Sequence, residues 1–309
     1  MRALITGADG FLGANLARYL IDKGHEVTGA CLNRKNATAL DALNVRCRLE
    51  YGDITDSAFV DRLVNASEAD VVYHLAAVSI VRVAERDPAR AIKTNVIGTL
   101  NLCEAAKRNG AKVIVASSDK AYGASEDAYT ERTPLRPTGA YEVSKACQDH
   151  VARLYGAIVV RAANLYGPAD LHWSRLVPAS CRLIANGLPP QVYGDGAACQ
   201  REWLYVEDAC SGYAFLAEHG ARGQAYNLGS GQRATALDVA RRLAHLGGGP
   251  GPDLVAKAGA FYEIPAQSLD CTKLETLGWR ARRTLSEGLY QTLHWYASHL
   301  GQEVASCVS

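Results

Sequence analysis

The chain has 309 residues, of which 48% are hydrophobic and 21% charged, a composition that fits a globular protein with a sizeable core and excludes intrinsic disorder. Its 33 basic and 32 acidic residues give a formal charge of +1, so the basic excess typical of a nucleic-acid binder is absent. The longest apolar stretch, residues 71–80, is too short to span a bilayer. The chain begins with a strand-like run and shows no charged-then-apolar leader. We therefore expect a cytoplasmic protein with neither a membrane nor a nucleic-acid partner.

The nine cysteines are scattered along the chain, and no two form a CxxC pair. This pattern argues against a zinc site and against a disulfide framework. We predict that most of these thiols are small buried hydrophobic groups in a reducing compartment, and that the protein holds no metal.

The first half of the chain alternates apolar β-branched runs with helical stretches. We predict strands at residues 3–6, 26–30, 46–51, 71–75, 112–116 and 157–161, and helices at 11–23, 57–65, 92–108 and 141–155. Strands that are buried on both faces and separated by helices indicate βαβ units and a parallel sheet. The predicted fold class is α/β, a Rossmann doubly wound sheet with a smaller C-terminal α/β lobe.

Glycine and proline breaks become frequent after residue 164, which indicates a second lobe of shorter elements. We predict a first domain over residues 1–165 and a lobe over residues 166–309 that covers it. Residues 197–216 are expected to return to the first domain, because residues 203–206 have the pattern of one more strand followed by a helix.

A glycine-rich loop follows the first predicted strand. Gly7, Gly10 and Gly13 allow a tight turn and a close approach of the backbone to a pyrophosphate, and the next helix supplies N–H groups at its positive end. The spacing is GxxGxxG, whereas typical dehydrogenases have GxGxxG. The position of the loop at the first βα turn therefore carries the prediction of a dinucleotide site.

The second predicted strand ends without the carboxylate that would hold the adenosine ribose of NAD. Asn33 and Arg34 follow it, and Arg34 either meets the 2′-phosphate of NADP or is a solvated surface charge. After the third strand, Asp53 and Ile54 form either an adenine contact or an ordinary turn capped by the aspartate. Both cofactors stay open on these residues.

Tyr141 and Lys145 lie four residues apart in a predicted helix, so their side chains emerge on one face. An ammonium group near the phenol favours the phenolate and lowers the tyrosine pKa, which makes a general base. A YxxxK pair is common on surface helices, but here a buried strand also leads into Ser118. Residues just beyond the carboxyl end of such a strand line a ligand crevice, where a serine can bond a substrate hydroxyl.

Together these motifs resemble the extended short-chain dehydrogenase/reductases, namely the NAD-dependent nucleotide-sugar epimerases and dehydratases. Segments 73–77, 94–99, 121–123, 161–168, 201–208 and 277–289 also match, so the resemblance covers nearly the whole chain. It implies that Tyr141 is the base, that Lys145 activates it and binds the nicotinamide ribose, and that Ser118 bonds the substrate hydroxyl. It further implies a homodimer formed through the helices at 95–108 and 141–155.

The resemblance also implies two sets of binding residues. The cofactor, NAD with NADP possible, is expected against Gly7, Gly10, Phe11, Leu12, Gly13, Asn33, Arg34, Asp53, Ile54, Leu75, Ala76, Ala77, Tyr141 and Lys145. A nucleotide diphosphate sugar is expected against Ser79, Asn164 and Arg201. A planar guanidinium suits phosphate oxygens, although a surface ion pair is the alternative for Arg201.

The two residues after Ser118 bear on the reaction. Asp119 and Lys120 resemble the Asp-Lys version of the 4,6-dehydratase motif, notably that of CDP-glucose 4,6-dehydratases. This implies that Asp119 protonates the leaving 6-hydroxyl and that Lys120 takes part in the carbon-5 proton transfer; the alternative is an ion pair at the crevice rim. We predict a 4,6-dehydratase, with a 4-epimerase as the alternative because the chain is shorter than most CDP-glucose 4,6-dehydratases.

Overall fold

The computed structural model describes residues 1–34, 38–125, 127–197, 199–256 and 266–301. Its strands are β1 Arg2–Thr6, β2 Glu26–Cys31, β3 Arg48–Tyr51, β4 Val71–His74, β5 Lys112–Ser118, β6 Ile158–Ala162, β7 Asn164–Tyr166, β8 Gln191–Tyr193, β9 Gln200–Tyr205, β10 Ala225–Leu228, β11 Arg233–Thr235 and β12 Asp253–Val255. Seven of them form one parallel sheet in the order β10-β6-β5-β4-β1-β2-β3. This arrangement confirms the predicted doubly wound sheet.

The α-helices are α1 Phe11–Asp22, α2 Ala39–Ala42, α3 Ser57–Ser67, α4 Val81–Arg86, α5 Pro88–Ile92, α6 Gly98–Arg108, α7 Ala140–Leu154, α8 Leu176–Ala185, α9 Val206–His219, α10 Ala236–Leu246, α11 Thr272–Thr276 and α12 Leu285–His299. Within the described ranges, none is long and apolar enough to cross a bilayer. The predicted helix at 92–108 is divided, because a π-helical turn, Lys93–Ile97, separates α5 from α6. Such turns are frequent at functional sites.

Both faces of the main sheet are buried, which explains the continuous apolar runs of its strands. Along β1, Ile5 packs into the cluster that includes residues of α1 and α9, whereas Leu4 packs into the cluster that includes residues of α3 and α6. Because successive side chains of a strand point to opposite faces, each β-branched run packs against helices on both faces of the sheet.

The second lobe combines a small sheet, ordered β11-β9-β7, with a two-stranded sheet, β12-β8. Helices α8, α10 and α12 pack around them on a separate cluster of buried residues that includes Val239 and Leu289. Residues 302–309 of the predicted lobe lie outside the described ranges.

Residues 197–216 divide between the two parts of the molecule. The expected strand is present as β9, but it pairs with β7 and β11 and does not join the main sheet. The following helix, α9, packs against α1 of the first domain. The strand that extends the main sheet is β10, which pairs with β6. Its four buried residues are too short a run to have been recognised by their pattern.

None of the eight cysteines in the described part of the chain forms a disulfide with another of them. Cys31, Cys103, Cys181 and Cys210 are buried, and Cys147 is exposed. No group of three or more potential metal ligands occurs among the described residues.

Candidate active site

A cavity of about 1280 Å³ opens at the carboxyl ends of the parallel strands. The chain connects strands in opposite directions on the two sides of β1, so this edge contains the topological switch point at which open α/β sheets bind ligands. Loops after β1 to β6 line one side of the cavity, and residues 169–178 of the second lobe line the other. Most of the predicted cofactor, catalytic and substrate residues line this cavity.

The glycine loop forms the floor of one end of this cavity. Gly7 has a φ of +69°, and a Cβ there would lie 2.9 Å from the backbone of Ala76. A Cβ on Gly13 would lie 2.2 Å from the carbonyl oxygen of Gly7. Gly10 is the N-cap of α1 and brings no capping side chain, so the helix end faces the cavity with bare backbone. These glycines fit the pyrophosphate of a dinucleotide.

Most of the other predicted cofactor residues line the same cavity. They are Phe11, Leu12, Asp53, Ile54, Leu75, Ala76 and Ala77. The Oδ1 atom of Asp53 accepts the N–H of Thr55 at 2.8 Å, so this aspartate also caps its own turn.

Asn33 and Arg34 stand apart from this set. Asn33 lines a smaller adjoining cavity of about 140 Å³, and neither residue is in the described lining of the large one. The Arg34 guanidinium lies over the ring of Tyr51 at 5.0 Å. The structure thus gives Arg34 a cation–π partner on the neighbouring strand β3.

Ser118, Asp119 and Tyr141 meet where β5 ends. The Ser118 hydroxyl donates to Oδ1 of Asp119 at 3.1 Å and accepts the N–H of Lys120 at 3.2 Å, which starts a 3₁₀ turn. Tyr141, at the start of α7, is buried and shares a hydrogen bond with Ser118. All three line the cavity.

The expected lowering of the Tyr141 pKa is wrong for this structure. Burial raises the pKa of Tyr141 to about 12, and the hydrogen bond shared with Ser118 offsets only part of that effect. The Lys145 ammonium donates to the carbonyl oxygen of Ala116 and to Oε1 of Gln148, both at 2.6 Å. Burial also lowers the pKa of Lys145 to about 7, although Asp149 acts in the opposite direction. Desolvation therefore dominates at both residues.

Asp119 is the buried acid of the cavity. Its side chain belongs to a residue that is 3% exposed, and its Oδ2 atom has no hydrogen-bond partner among the described residues. Burial raises the Asp119 pKa, while Lys120, Ser118 and Arg201 act in the opposite direction. The Lys120 ammonium donates to Oε1 of Gln267 at 3.3 Å. The described ion pairs do not include one between Asp119 and Lys120, so that alternative is not supported.

The predicted substrate residues separate into two groups. Ser79 and Asn164 line the cavity. Arg201 is buried within β9, donates to the carbonyl oxygen of Gln200 at 2.9 Å and is not in the described lining. Its charge acts on Asp119 instead. The buried position follows from pairing with β11 on one side and β7 on the other.

The cavity is also lined by a set of cationic residues that had no predicted role. They are Arg82, Arg90, Lys93 and Arg175. Arg175 is the N-cap of α8 and forms an ion pair with Asp170 at 3.0 Å. A basic residue at a helix start is an ambiguous signal in sequence, because cations are more favourable at helix C-termini.

Asn95 lies in the π-helical turn and joins two walls of the site. Its Oδ1 atom accepts the N–H of Val78 at 2.8 Å, and its Nδ2 atom donates to the Ser144 hydroxyl at 2.9 Å. It thereby fixes the loop after β4 to helix α7, which carries Tyr141.

The sheet, the glycine loop at its switch point and the Ser118, Tyr141 and Lys145 side chains in one cavity define a dinucleotide-dependent α/β enzyme of the short-chain dehydrogenase/reductase class. A model of the NAD dependent epimerase/dehydratase family matches residues 3–229, and the chain belongs to that family. It is an NAD-dependent enzyme of the dehydratase/epimerase group.

Relatives of both reaction types are similar to this chain. The dTDP-glucose 4,6-dehydratase of Streptomyces antibioticus is 34% identical over 96% of this chain and 92% of its own length. The crystal structure of the Streptomyces venezuelae dTDP-glucose 4,6-dehydratase DesIV, with NAD bound, superposes with a TM-score of 0.88 at 30% identity and covers 97% and 98% of the two chains. The UDP-glucose 4-epimerase of Thermotoga maritima has the same TM-score at 28% identity, with 97% and 100% covered.

Proposed function

We propose that this protein is a nucleotide-sugar 4,6-dehydratase. The observation that carries the proposal is the buried carboxyl group of Asp119, whose Oδ2 atom has no partner in a cavity shared with Ser118 and Tyr141. A 4-epimerase moves a hydride away from and back to one carbon and needs no such acid. A dehydratase must protonate a leaving hydroxyl, and burial raises the pKa of this carboxyl, which favours the form that can donate a proton.

The first step assigned to the chain is proton removal from the 4-hydroxyl of the hexose. Tyr141 takes this proton while Ser118 holds the hydroxyl by a hydrogen bond. NAD, when bound, supplies the hydride acceptor for carbon 4 and the hydride donor for carbon 6. Burial is the largest of the effects that raise the Tyr141 pKa to about 12, and Arg175 acts in the opposite direction. We therefore assign to the Lys145 ammonium, one helical turn further along α7, the additional positive charge that a phenolate needs.

The second step is elimination across carbons 5 and 6. The 4-keto group makes the carbon-5 proton acidic; Lys120 accepts this proton and returns it to carbon 5 when carbon 6 receives its hydride. Asp119 gives its proton to the 6-hydroxyl, which leaves as water. Arg201 and Lys120 then stabilise the carboxylate that remains, since both already act on Asp119 in that direction.

We propose further that residues 1–165, completed by α9 and β10, hold NAD through the cavity-lining set described above. Residues 166–309 cover the nucleotide sugar. Ser79 and Asn164 of the first domain face the sugar, and the charge of Arg201 acts on Asp119. The cationic residues Arg82, Arg90 and Arg175 provide the positive charge that a diphosphate needs.

We also propose a cytoplasmic homodimer. Helices α6 and α7 are the expected interface, and Leu154 at the end of α7 is 83% exposed. Leu154→Glu should then shift the protein from dimer to monomer in light scattering, and an unchanged mass would contradict this interface.

The test is the product mass after incubation with NAD and a panel of dTDP-glucose, CDP-glucose and UDP-glucose. Loss of one water from any of them is the expected result. Asp119→Asn should lower that loss by about 10²- to 10³-fold, in line with the contribution of a positioned acid, while absorbance of the reduced cofactor still appears. An isomer of unchanged mass would show a 4-epimerase and overturn the proposal.

A further inference from the structure

The buried amide of Gln148 contacts the ammonium group of Lys145 directly. Gln148 lies three residues further along α7 and is fully buried. Its Oε1 atom accepts from the Lys145 Nζ atom at 2.6 Å, and its Nε2 atom donates to the Thr99 hydroxyl at 2.8 Å. An ammonium group has three N–H donors. The carbonyl oxygen of Ala116 takes a second one, so one remains for the cavity that Lys145 lines.

The orientation of this amide follows from its neighbours. The Thr99 hydroxyl donates its only proton to the carbonyl oxygen of Asn95 at 2.6 Å, so it can only accept from the side chains around it. Gln148 must therefore present its NH₂ group to Thr99 and its oxygen to Lys145.

His74 supports the same arrangement from β4. Its Nε2 atom lies 2.9 Å from the Thr99 hydroxyl and its Nδ1 atom 2.8 Å from the Thr6 hydroxyl. Burial lowers the pKa of His74 to about 3, so the ring is neutral and donates from Nε2 while it accepts at Nδ1. The chain of hydrogen bonds thus runs from Lys145 to Thr6, the residue that precedes Gly7.

We propose that Gln148 is a positioning residue that holds Lys145 in its ammonium form and leaves one N–H directed to the bound cofactor and to Tyr141. This inference rests on the proposed role of Lys145 as the activating cation. Burial opposes the charge of Lys145, and few groups counter it. Asp149 on α7 favours the charge of Lys145, and Lys145 in turn acts on His74 of β4. Tyr141 and Asp119 are titratable groups that line the same cavity as Lys145. The side-chain carbonyl oxygen of Gln148 lies 2.6 Å from the ammonium group, as close as that of Ala116, and favours its charged form.

The first test measures Lys145 itself, without turnover. In protein labelled with ¹³C at lysine Cε, with and without NAD, the Lys145 signal is identified by its loss in Lys145→Arg and is titrated by NMR. Gln148→Met keeps the volume and removes the oxygen, so the pKa of Lys145 should fall by about one unit. Gln148→Glu should raise it by at least as much. Ser144→Ala is the matched control, because Ser144 is equally buried on α7 but bonds Asn95 and the Tyr141 carbonyl oxygen.

The second test uses the pH profile of turnover. In Gln148→Met, kcat/KM at pH 8 should fall about tenfold, the factor that one pKa unit implies, and should recover as the pH is lowered towards 6. A merely structural role would lower activity equally at every pH. An unchanged Lys145 pKa in both Gln148 variants would overturn the inference. If the NMR shifts occur while no substrate of the panel reacts, the proposed reaction fails and the assignment of Gln148 stands.

Discussion

The two ends of helix α7 show how the same kinds of buried charged groups serve different purposes. At its start, Tyr141 and Lys145 face a cavity together with Asp119, whose Oδ2 atom has no partner among the described residues. Towards its end, Asp149 accepts from Arg161 at 2.8 and 3.0 Å and from Arg153 at 2.8 Å. Removing one partner of a fully paired buried charge destabilises the fold, whereas a buried titratable group with incomplete pairing is a candidate for proton transfer in catalysis.

The largest expected effect comes from the start of α7, which faces the cavity. Tyr141→Phe removes only the hydroxyl that transfers the substrate proton, so turnover should fall by about 10³-fold. The free energy of unfolding should change little, because the ring that packs in the cavity wall is kept. Initial rates and urea unfolding measure the two quantities. If Tyr141→Phe also lost a large part of its free energy of unfolding, the hydroxyl would have a structural role, which would contradict the prediction.

At the other end of α7, substitution of Asp149 should lower stability more than activity. Asp149→Asn leaves the buried Arg161 without its anionic partner and should lower the free energy of unfolding by about 3 kcal/mol. Asp61→Asn is the control, since Asp61 forms an exposed pair with Arg108 and such pairs contribute little. Urea unfolding of both variants measures their free energies of unfolding. If both variants lost the same free energy of unfolding, burial would not explain the contribution of the ion pair at Asp149.

The pH dependence of stability separates the two ends further. The pKa of Lys145 is lowered from its ordinary value to about 7 in the folded chain, so between pH 7 and 8.5 the unfolded chain binds more protons. Stability from this group should therefore rise with pH, by up to about 1.4 kcal/mol per unit. Lys145→Met should remove that rise. The window ends at pH 8.5 because unfolded cysteine and tyrosine side chains begin to titrate above it.

The sequence predicted what depends on local patterns. The strand and helix alternation placed the main sheet, and the glycine loop and the Tyr141–Lys145 spacing located the cavity. It could not predict β10, because four buried residues carry no distinctive period. Nor could it predict the burial of Arg201, since the pairing of β9 with β7 and β11, which buries this residue, is a tertiary event.

The roles of single side chains were harder to predict for the same reason. A lowered Tyr141 pKa follows from the Tyr–Lys spacing alone, but the amount of burial, which raises it instead, depends on elements distant in sequence. Gln148 gave no signal because its partners, Thr99 and Lys145, are brought together only when α6 packs against α7.

The smallest expected effect is a change of stability at Asp119, compared with a second buried carboxyl group. Burial raises the pKa of both Asp119 and Glu202, but Glu202 accepts the N–H groups of Ser230, Gly231 and Leu269.

Asp119→Asn removes a carboxylate that lacks such partners, so it should stabilise the protein by about 0.5–1 kcal/mol at pH 7. The gain should shrink between pH 7 and pH 4, because burial raises the Asp119 pKa and the carboxylate is lost by protonation as the pH falls. Glu202→Gln should instead destabilise it by about 1–3 kcal/mol, because an NH₂ group replaces an acceptor that backbone donors need. Thermal unfolding of the two variants at both pH values measures these changes, and a loss of stability in Asp119→Asn would show that this carboxylate is paired as fully as Glu202.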